Sequence, residues 1–191
     1  MKLEFSGSLY YSPSGDGGME IRFQNSPEET KQMDTEQLRK NFLVQNLMQD
    51  DTVPLVYSHY DRVIIGGAKP ASKTIQLPNH PELRADYFLE RRELGIINVG
   101  YKGTVTADGK KYELNKLDCL YLGKGTKKVS FASANKKEAA LFYLLSAPAH
   151  HKYASRKMTK EKASPVNMGD ASTSNKRTIY KYIHPDGIKS C

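Results

Sequence analysis

The stretch from residue 86 to residue 133 constrains the fold of this chain most strongly, because it consists of short strand-like runs separated by glycines. Residues 104–107 alternate Thr, Val, Thr and Ala, and Asp108-Gly109 is a dipeptide that favours a two-residue type I′ hairpin turn. Apolar residues continue after the turn at Tyr112, Leu114 and Leu117, and further strands are predicted at residues 120–122 and 129–131. Closely spaced strands with glycines at their corners predict an all-β antiparallel sandwich or barrel.

Shorter elements are predicted on both sides of this stretch. Asp34 or Thr35 can cap a short N-terminal helix that places Leu38 and Phe42 on one face. The other predicted elements are strands, at residues 53–57, 62–65 (ended by Gly66-Gly67), 74–77, 139–146 and 179–183. The apolar run at 139–146 could be a buried strand or a helix, and we favour a strand that closes the barrel because Phe142 and Tyr143 favour sheets. The strand at 179–183 is expected to lie at a sheet edge.

The charge of the chain is uneven. The net charge is +8, and residues 152–191 hold nine Lys or Arg against three acidic residues. This basic segment can be interpreted as a nucleic-acid patch, as a solvated face or subunit contact, or as a surface that attracts an anionic sugar acid. We favour the solvated face and expect no nucleic-acid partner, because no nucleic-acid motif accompanies the charge.

Residues 1–30 are expected to form a flexible tail, since Ser, Gly and Pro dominate up to Gly18. An alternative is that the natural chain starts at Met19. The longest apolar run, residues 139–145, is too short to cross a bilayer, and the first residues hold no apolar run of signal-peptide length. Cys119 and Cys191 form no disulfide framework. We therefore expect a cytoplasmic protein without a membrane partner.

The spacing of acidic residues and glycines resembles the two motifs of the cupin jelly roll. Glu93 is followed by Gly100, and Asp118 is followed by Gly123 and Gly125. A metal-binding cupin supplies two histidines shortly before that glutamate and a third beyond the last glycine. Here those places hold Tyr87, Phe88, Leu89 and Lys128. A protonated ammonium has no lone pair for a metal, and neither Phe nor Leu offers one. The resemblance thus implies a cupin barrel that binds no metal.

Five longer strings resemble the 4-deoxy-L-threo-5-hexosulose-uronate ketol-isomerase family, also called 5-keto-4-deoxyuronate isomerases. The similarity covers about residues 30 to 191 and is strong, because several strings are long enough to be specific. The strings are YSHYDRVIIGG (57–67), YFLERRELGIINVG (87–100), LYLGKG (120–125), APAHHKY (147–153) and SPVNMGDASTSNKRTIYKY (164–182).

The resemblance implies an isomerase that interconverts 5-dehydro-4-deoxy-D-glucuronate and 3-deoxy-D-glycero-2,5-hexodiulosonate in pectin and uronate catabolism. It implies a homo-oligomer, expected to be a hexamer, and one zinc bound by three histidines and a glutamate in a second, C-terminal cupin. Residues 31–150 would then form a degenerate, metal-free first cupin, and residues 151–191 a basic extension leading towards the catalytic one. By this reasoning the chain alone is inactive. The alternative is a non-catalytic cupin module that serves folding and oligomerisation.

The histidines form no HxH, HxxH or HExxH pair, so local spacing predicts no metal site in this chain. They are His59, His80, His150, His151 and His184. The adjacent pair at 150 and 151 is expected at the surface or at a subunit contact. His59 lies in the YSHYDR string and is a candidate substrate contact, with a hydrogen-bonded structural histidine as the alternative.

The densest charged cluster of the predicted barrel is Glu90-Arg91-Arg92-Glu93. Arg91 or Arg92 could hold a uronate carboxylate through two parallel hydrogen bonds, and Glu93 is a further candidate contact. The alternative, which we favour, is a structural network of salt bridges, in which Glu93 could pair with Lys128. No catalytic or cofactor-binding residue is assigned.

Overall fold

A computed structural model describes residues 18–191, in which strands dominate and helices are short. The α-helices are α1 (Pro27–Lys31) and α2 (Thr35–Phe42), and 3-10 helices lie at Pro81–Leu83, Lys160–Lys162 and Ala171–Thr173. The strands are β1 (Glu20–Arg22), β2 (Leu55–Ser58), β3 (Ile64–Ala68), β4 (Ile75–Gln76), β5 (Arg92–Asn98), β6 (Gly103–Ala107), β7 (Lys110–Leu114), β8 (Cys119–Leu122), β9 (Val129–Ser133), β10 (Phe142–Pro148), β11 (Arg156–Met158), β12 (Val166–Met168) and β13 (Arg177–Ile179).

Eight strands form a jelly roll, in which the chain passes repeatedly between two antiparallel sheets. One sheet contains the order β3-β10-β5-β8, and the other has the order β4-β9-β6-β7. This is the strand order of an eight-stranded double Greek key. The larger sheet gains β1 and β2 at one edge and β11 at the other. The predicted all-β jelly-roll barrel, with a short N-terminal helix and a C-terminal extension, is confirmed.

The predicted hairpin joins β6 to β7. Asp108 and Gly109 both have positive φ angles, of 46° and 84°, as a type I′ turn requires. The Asp108 carboxylate also accepts the backbone N–H groups of Lys127 and Lys128, at 3.0 and 2.8 Å from its Oδ1. The turn is therefore fastened to the segment that leads into β9.

The main core lies between the two sheets and is apolar. On β5 and β8 the side chains alternate, so that every second residue points into this core, as the pleat of a strand requires. Its largest fully buried members include Leu94, Ile96, Leu114, Leu120, Leu122, Phe131, Phe142 and Leu144. Phe88 and Leu89, at the places where a metal-binding cupin would carry histidines, belong to the same cluster.

The segment before the barrel is more ordered than the predicted tail. Met19 is fully buried in the main core, and β1 pairs in parallel with β2. Ser26 caps α1 in a capping box with Glu29, and Asp34 caps α2 in the same way with Gln37. Residues 18–30 of the predicted tail thus contain a buried side chain, a strand and the start of a capped helix, while residues 1–17 lie outside the described residues.

Two predicted strand boundaries are wrong. Gly66 and Gly67 lie inside β3 rather than ending it, because both pair with β10. A Cβ atom at Gly67 would stand 2.2 Å from the backbone oxygen of Leu47, so glycine there permits a close approach of the chain. The edge strand expected at residues 179–183 ends at Ile179 and pairs with β12 in an exposed hairpin. The following residues leave this hairpin because Tyr180 and Tyr182 pack against the barrel.

The C-terminal extension covers the outer face of the larger sheet. Its second apolar cluster joins Cys119 and Tyr121 of β8 to Met158, Ala163 and Ile188. Among residues 18–191, no helix is long and apolar enough to span a membrane.

Buried Asp118 fastens this extension to the barrel. Its carboxylate pairs with Lys157 Nζ at 3.0 Å and accepts the N–H groups of Asn115 and Lys160. The extension is therefore held by a polar anchor as well as by apolar packing.

Candidate functional site

The four candidate residues of the sequence analysis divide into two regions. Arg92 shares the side of β5 that carries Leu94 and Ile96 into the main core, whereas Glu93 points to the opposite face. His59 and Arg91 lie on the Arg92 side, around the ring of Tyr57 and a neighbouring cavity. The structure thus brings three candidates near one another and separates Glu93 from them.

Arg92 is buried, with 7% of its surface exposed. Its Nε donates to Ser146 Oγ at 3.1 Å, and its Nη2 donates to the backbone oxygens of Ser146 and Arg62, at 2.9 and 2.6 Å. Its guanidinium carbon lies 5.8 Å from the ring centre of Tyr57. Burial lowers the pKa of Arg92 to about 10, so the group remains a cation at neutral pH.

A cavity of about 190 Å³ opens where β2 ends and β5 begins. We call its cationic wall, formed by Tyr57, Arg62, Arg91 and Arg92, the arginine mouth. Arg91 is exposed and donates to the backbone oxygen of Arg84 at 2.8 Å, with Glu90 3.9 Å away. Leu83, Phe88 and Pro148 add apolar surface, and Glu82 adds one carboxylate. Such a wall can hold a small anion.

His59 is exposed and sits between two aromatic rings. Its imidazole stacks on Phe23, with 4.6 Å between ring centres, and meets Tyr57 edge-on at 5.2 Å. Its backbone N–H donates to the carbonyl of Arg22, which ties it to β1. Through Tyr57 it neighbours the arginine mouth, but it is not among the residues that line the cavity.

Glu93 belongs to a second cavity, of about 530 Å³, on the outer face of the larger sheet. We call this the tyrosine cleft, after Tyr121, Tyr143, Tyr180 and Tyr182 in its wall. The Glu93 carboxylate accepts the Tyr121 hydroxyl at 2.7 Å and the Cys191 backbone N–H at 3.1 Å. The ion pair considered between Glu93 and Lys128 is absent from the described contacts, and Lys128 is exposed.

Three titratable groups of the tyrosine cleft, Cys119, Tyr121 and Tyr182, are held in their neutral forms. Burial raises the pKa of the Cys119 thiol to about 12 and that of the Tyr182 hydroxyl to about 12. Burial, together with the hydrogen bond to Glu93, also raises the pKa of Tyr121. A thiol that stays protonated is a poor nucleophile, so Cys119 acts as a packed apolar residue.

The described residues offer no cluster suited to a metal. Nowhere in residues 18–191 do three or more His, Cys, Asp or Glu side chains come together in a way that could hold an ion. The adjacent His150 and His151 are both exposed, and the ring of His151 packs against Tyr153.

Sequence reasoning missed Tyr57 and Arg62, which complete the arginine mouth with the predicted arginines. Both lie in the YSHYDR string, from which only His59 was selected. A usable signal was available, because Tyr57 ends one predicted strand and Arg62 begins the next. Side chains at such ends gather at one edge of a sheet.

The chain is similar to bacterial proteins that are named as ketol-isomerases. The chain is 49% identical over 173 residues to a 4-deoxy-L-threo-5-hexosulose-uronate ketol-isomerase of Caldicellulosiruptor bescii, which covers 91% of this chain and 63% of that protein. It is 46% identical over 175 residues to the enzyme of the same name from Escherichia coli O45:K1, with the same coverage. The chain thus spans somewhat less than two thirds of the length of these relatives.

Among solved structures, the chain is similar to the cupin domain of Schizosaccharomyces pombe Cnp3, with 15% sequence identity and a TM-score of 0.38. The match covers 50% of this chain and 63% of the Cnp3 chain. With an identity and a TM-score this low, we assign the fold from the strand order and not from this match. The model of the KduI/IolB family, in contrast, matches residues 42–191. With relatives that are 49% identical and bear the ketol-isomerase name, these matches show that the chain belongs to the KduI/IolB family.

Proposed function

We propose that this chain is the barrel-forming part of a ketol-isomerase that interconverts 5-dehydro-4-deoxy-D-glucuronate and 3-deoxy-D-glycero-2,5-hexodiulosonate. The observation that carries the proposal is the 49% identity to relatives named for the uronate ketol-isomerisation, extending over 91% of the chain. The reaction would belong to the breakdown of pectin-type unsaturated uronates in the cytoplasm. We also propose that the protein acts as a homo-oligomer, with a hexamer as the expected form.

Ketol isomerisation moves a hydrogen between two adjacent carbons, through an enediol or a hydride shift. Either route needs stabilisation of a developing oxyanion and a group that moves a proton. The residues that line the arginine mouth are arginines, apolar side chains, Tyr57 and Glu82, with no histidine among them. We propose that the proton-transfer group lies in the portion of the relatives that this chain does not span, and that this chain alone does not turn the substrate over.

The zinc that the family resemblance implies does not fit the residues described, because they bring together no set of metal-ligating side chains. No step of the reaction is assigned to a metal held by this part of the chain. We propose that the zinc ligands lie in the portion of the relatives that this chain does not span.

A hybrid protein tests the proposed reaction. This chain would be fused, after residue 191, to the portion of the Caldicellulosiruptor bescii relative that it does not cover. We expect the hybrid to convert the 5-dehydro-4-deoxy-uronate to the 2,5-diulosonate, followed by proton NMR of the product. A folded hybrid that leaves this uronate unchanged would contradict the proposal. So would a hybrid that isomerises a neutral ketose equally well.

A further inference from the structure

The charge of Arg92 has no counter-ion in the described structure. Its guanidinium is buried, yet none of the carboxylates of residues 18–191 forms an ion pair with it. Taking an ionised group out of water is costly unless an opposite charge or a full set of hydrogen bonds replaces the water. The three hydrogen bonds of Arg92 engage Nε and Nη2. Nη1 has no partner among these residues and is not fully buried, so it remains accessible to a ligand.

Two further cations stand beside this buried charge. Arg62 and Arg91 line the same cavity as Arg92, and Arg62 is close enough to contribute to the lowered pKa of Arg92. Neither Arg62 nor Arg92 has an ion-pair partner among the described residues, and Arg91 has only Glu90, at 3.9 Å. With Glu82 as the one carboxylate in the wall, the charged side chains of the cavity are three cations and one anion.

We propose that the arginine mouth is a binding site for a small oxyanion, which supplies the counter-charge that Arg92 lacks. The site lies apart from the tyrosine cleft and does not depend on the proposed isomerisation. Guanidinium groups pair with planar or tetrahedral oxyanions through two parallel hydrogen bonds, and Arg62 and Arg91 are placed to supply them from the rim.

The size and lining of the cavity restrict the kinds of ligand that the site can bind. A volume of about 190 Å³ corresponds to roughly six water molecules at ~30 Å³ each. That is room for one anionic head and a few attached carbons. Tyr57 and Phe88 offer apolar surface to those carbons. The shared chemistry is an oxyanion head, which a sugar-acid carboxylate or a free inorganic phosphate could provide.

Binding to the full chain tests the site. Calorimetric titrations would use D-galacturonate, inorganic phosphate and, as the neutral counterpart, D-galactose. We expect one saturable site for an anion and none for galactose. The double variant Arg62→Gln/Arg91→Gln, which removes only exposed side chains, should weaken anion binding at least tenfold. Arg92→Lys, which keeps the charge but loses the planar fork, should also weaken it.

The matched control is Lys111→Gln/Arg177→Gln, which removes two exposed cations that do not line the mouth and lowers the net charge equally. We expect its affinity to stay within twofold of the wild type. Rim-dependent binding of galacturonate would assign the site to sugar acids, and rim-dependent binding of phosphate alone would assign it to an inorganic oxyanion. The proposal is overturned if neither anion saturates, if galactose binds as tightly, or if the control loses as much affinity as the rim variant.

Discussion

At the scale of single residues, Glu93 shows how a carboxylate is kept inside this protein. It is 7% exposed, and its two oxygens accept the Tyr121 hydroxyl and a backbone N–H. A buried acceptor that loses its donor carries the cost of its desolvation. The Tyr121 hydroxyl therefore matters more for stability than the hydroxyl of Tyr143, which makes none of the described hydrogen bonds.

We expect Tyr121→Phe to lower the free energy of unfolding by about 1–3 kcal/mol, because it removes the donor and leaves Glu93 under-satisfied. Urea denaturation followed by fluorescence measures this. Tyr143→Phe is the matched control, since Tyr143 lines the same cleft and its hydroxyl makes none of the described hydrogen bonds. It should change the free energy by less than about 0.5 kcal/mol. Equal losses in the two variants would contradict this account of Glu93.

His80 should make the fold sensitive to mild acid. It is 7% exposed, its Nε2 has no partner among the described residues, and burial lowers its pKa below the ordinary 6.5. Below pH 6.5 the unfolded chain binds a proton that the folded chain resists, so stability falls as the pH drops from 6.5 towards the folded pKa. Above pH 6.5 this contribution is fully present.

Unfolding free energies measured between pH 5 and pH 7.5 test this. His80→Phe should flatten the decline below pH 6.5, whereas the exposed His150→Gln should leave it unchanged. Asp51, whose pKa is lowered to about 2 by its hydrogen bonds to Ser72, titrates below this window and does not interfere. If the unfolding free energy of His80→Phe falls below pH 6.5 as steeply as that of the wild type, His80 does not cause the acid sensitivity.

At the scale of elements, the C-terminal extension depends on Asp118 at the start of β8. This carboxylate is 2% exposed and gathers one ammonium and two backbone N–H groups from both sides of the contact between β8 and the extension. A buried ion pair that loses one charged partner is costly, while an exposed pair contributes little. This chain offers one pair of each kind, the Asp118–Lys157 pair with its buried carboxylate and the exposed Glu113–Lys102 pair.

We expect Asp118→Asn to lower the free energy of unfolding by about 1–3 kcal/mol and to speed amide exchange in β11, because the extension loses its anchor. Hydrogen exchange with mass spectrometry and urea denaturation measure these effects. Glu113→Gln, which removes the exposed ion pair with Lys102, should leave the denaturation midpoint unchanged within error. If both variants behave alike, Asp118 is not the anchor.

The strands of the barrel could be predicted from the sequence because their signals are local. The Asp108-Gly109 turn and the Thr-Val-Thr-Ala alternation before it determine a hairpin without help from distant residues. The two glycines of β3 could not be read correctly, since their role depends on residues outside the strand: Leu55 and Pro54 approach Gly66, and Leu47 approaches Gly67. Met19 was likewise missed, because one buried side chain leaves no periodic signal.

The candidate site was only partly predictable, because it too depends on contacts between residues that are distant in sequence. The sequence shows that Arg92 and Glu93 are adjacent, and adjacent strand residues must face opposite ways. Which of them faces the barrel depends on the register of β5 with β8 and β10. That pairing separates Glu93 from Arg91 and Arg92 and moves it under the C-terminal extension.

At the scale of the whole molecule, the larger sheet is covered on both faces. One face packs on the smaller sheet, and part of the other packs under the extension. The chain matches its family model over residues 42–191 but spans only 63% of its relatives' length. Our central claim is that the described barrel gives structure and anion binding, and that turnover needs the portion of the relatives that this chain does not span.

The most direct test is a coupled activity assay on the 5-dehydro-4-deoxy-uronate, run on this chain alone, with zinc content determined in the same sample. The account predicts no turnover and no stoichiometric zinc from this chain. It also predicts that both appear in the hybrid extended past Cys191. Turnover by the unextended chain with about one zinc per chain would contradict it, and would place the chemistry among residues to which we assign structural and anion-binding roles.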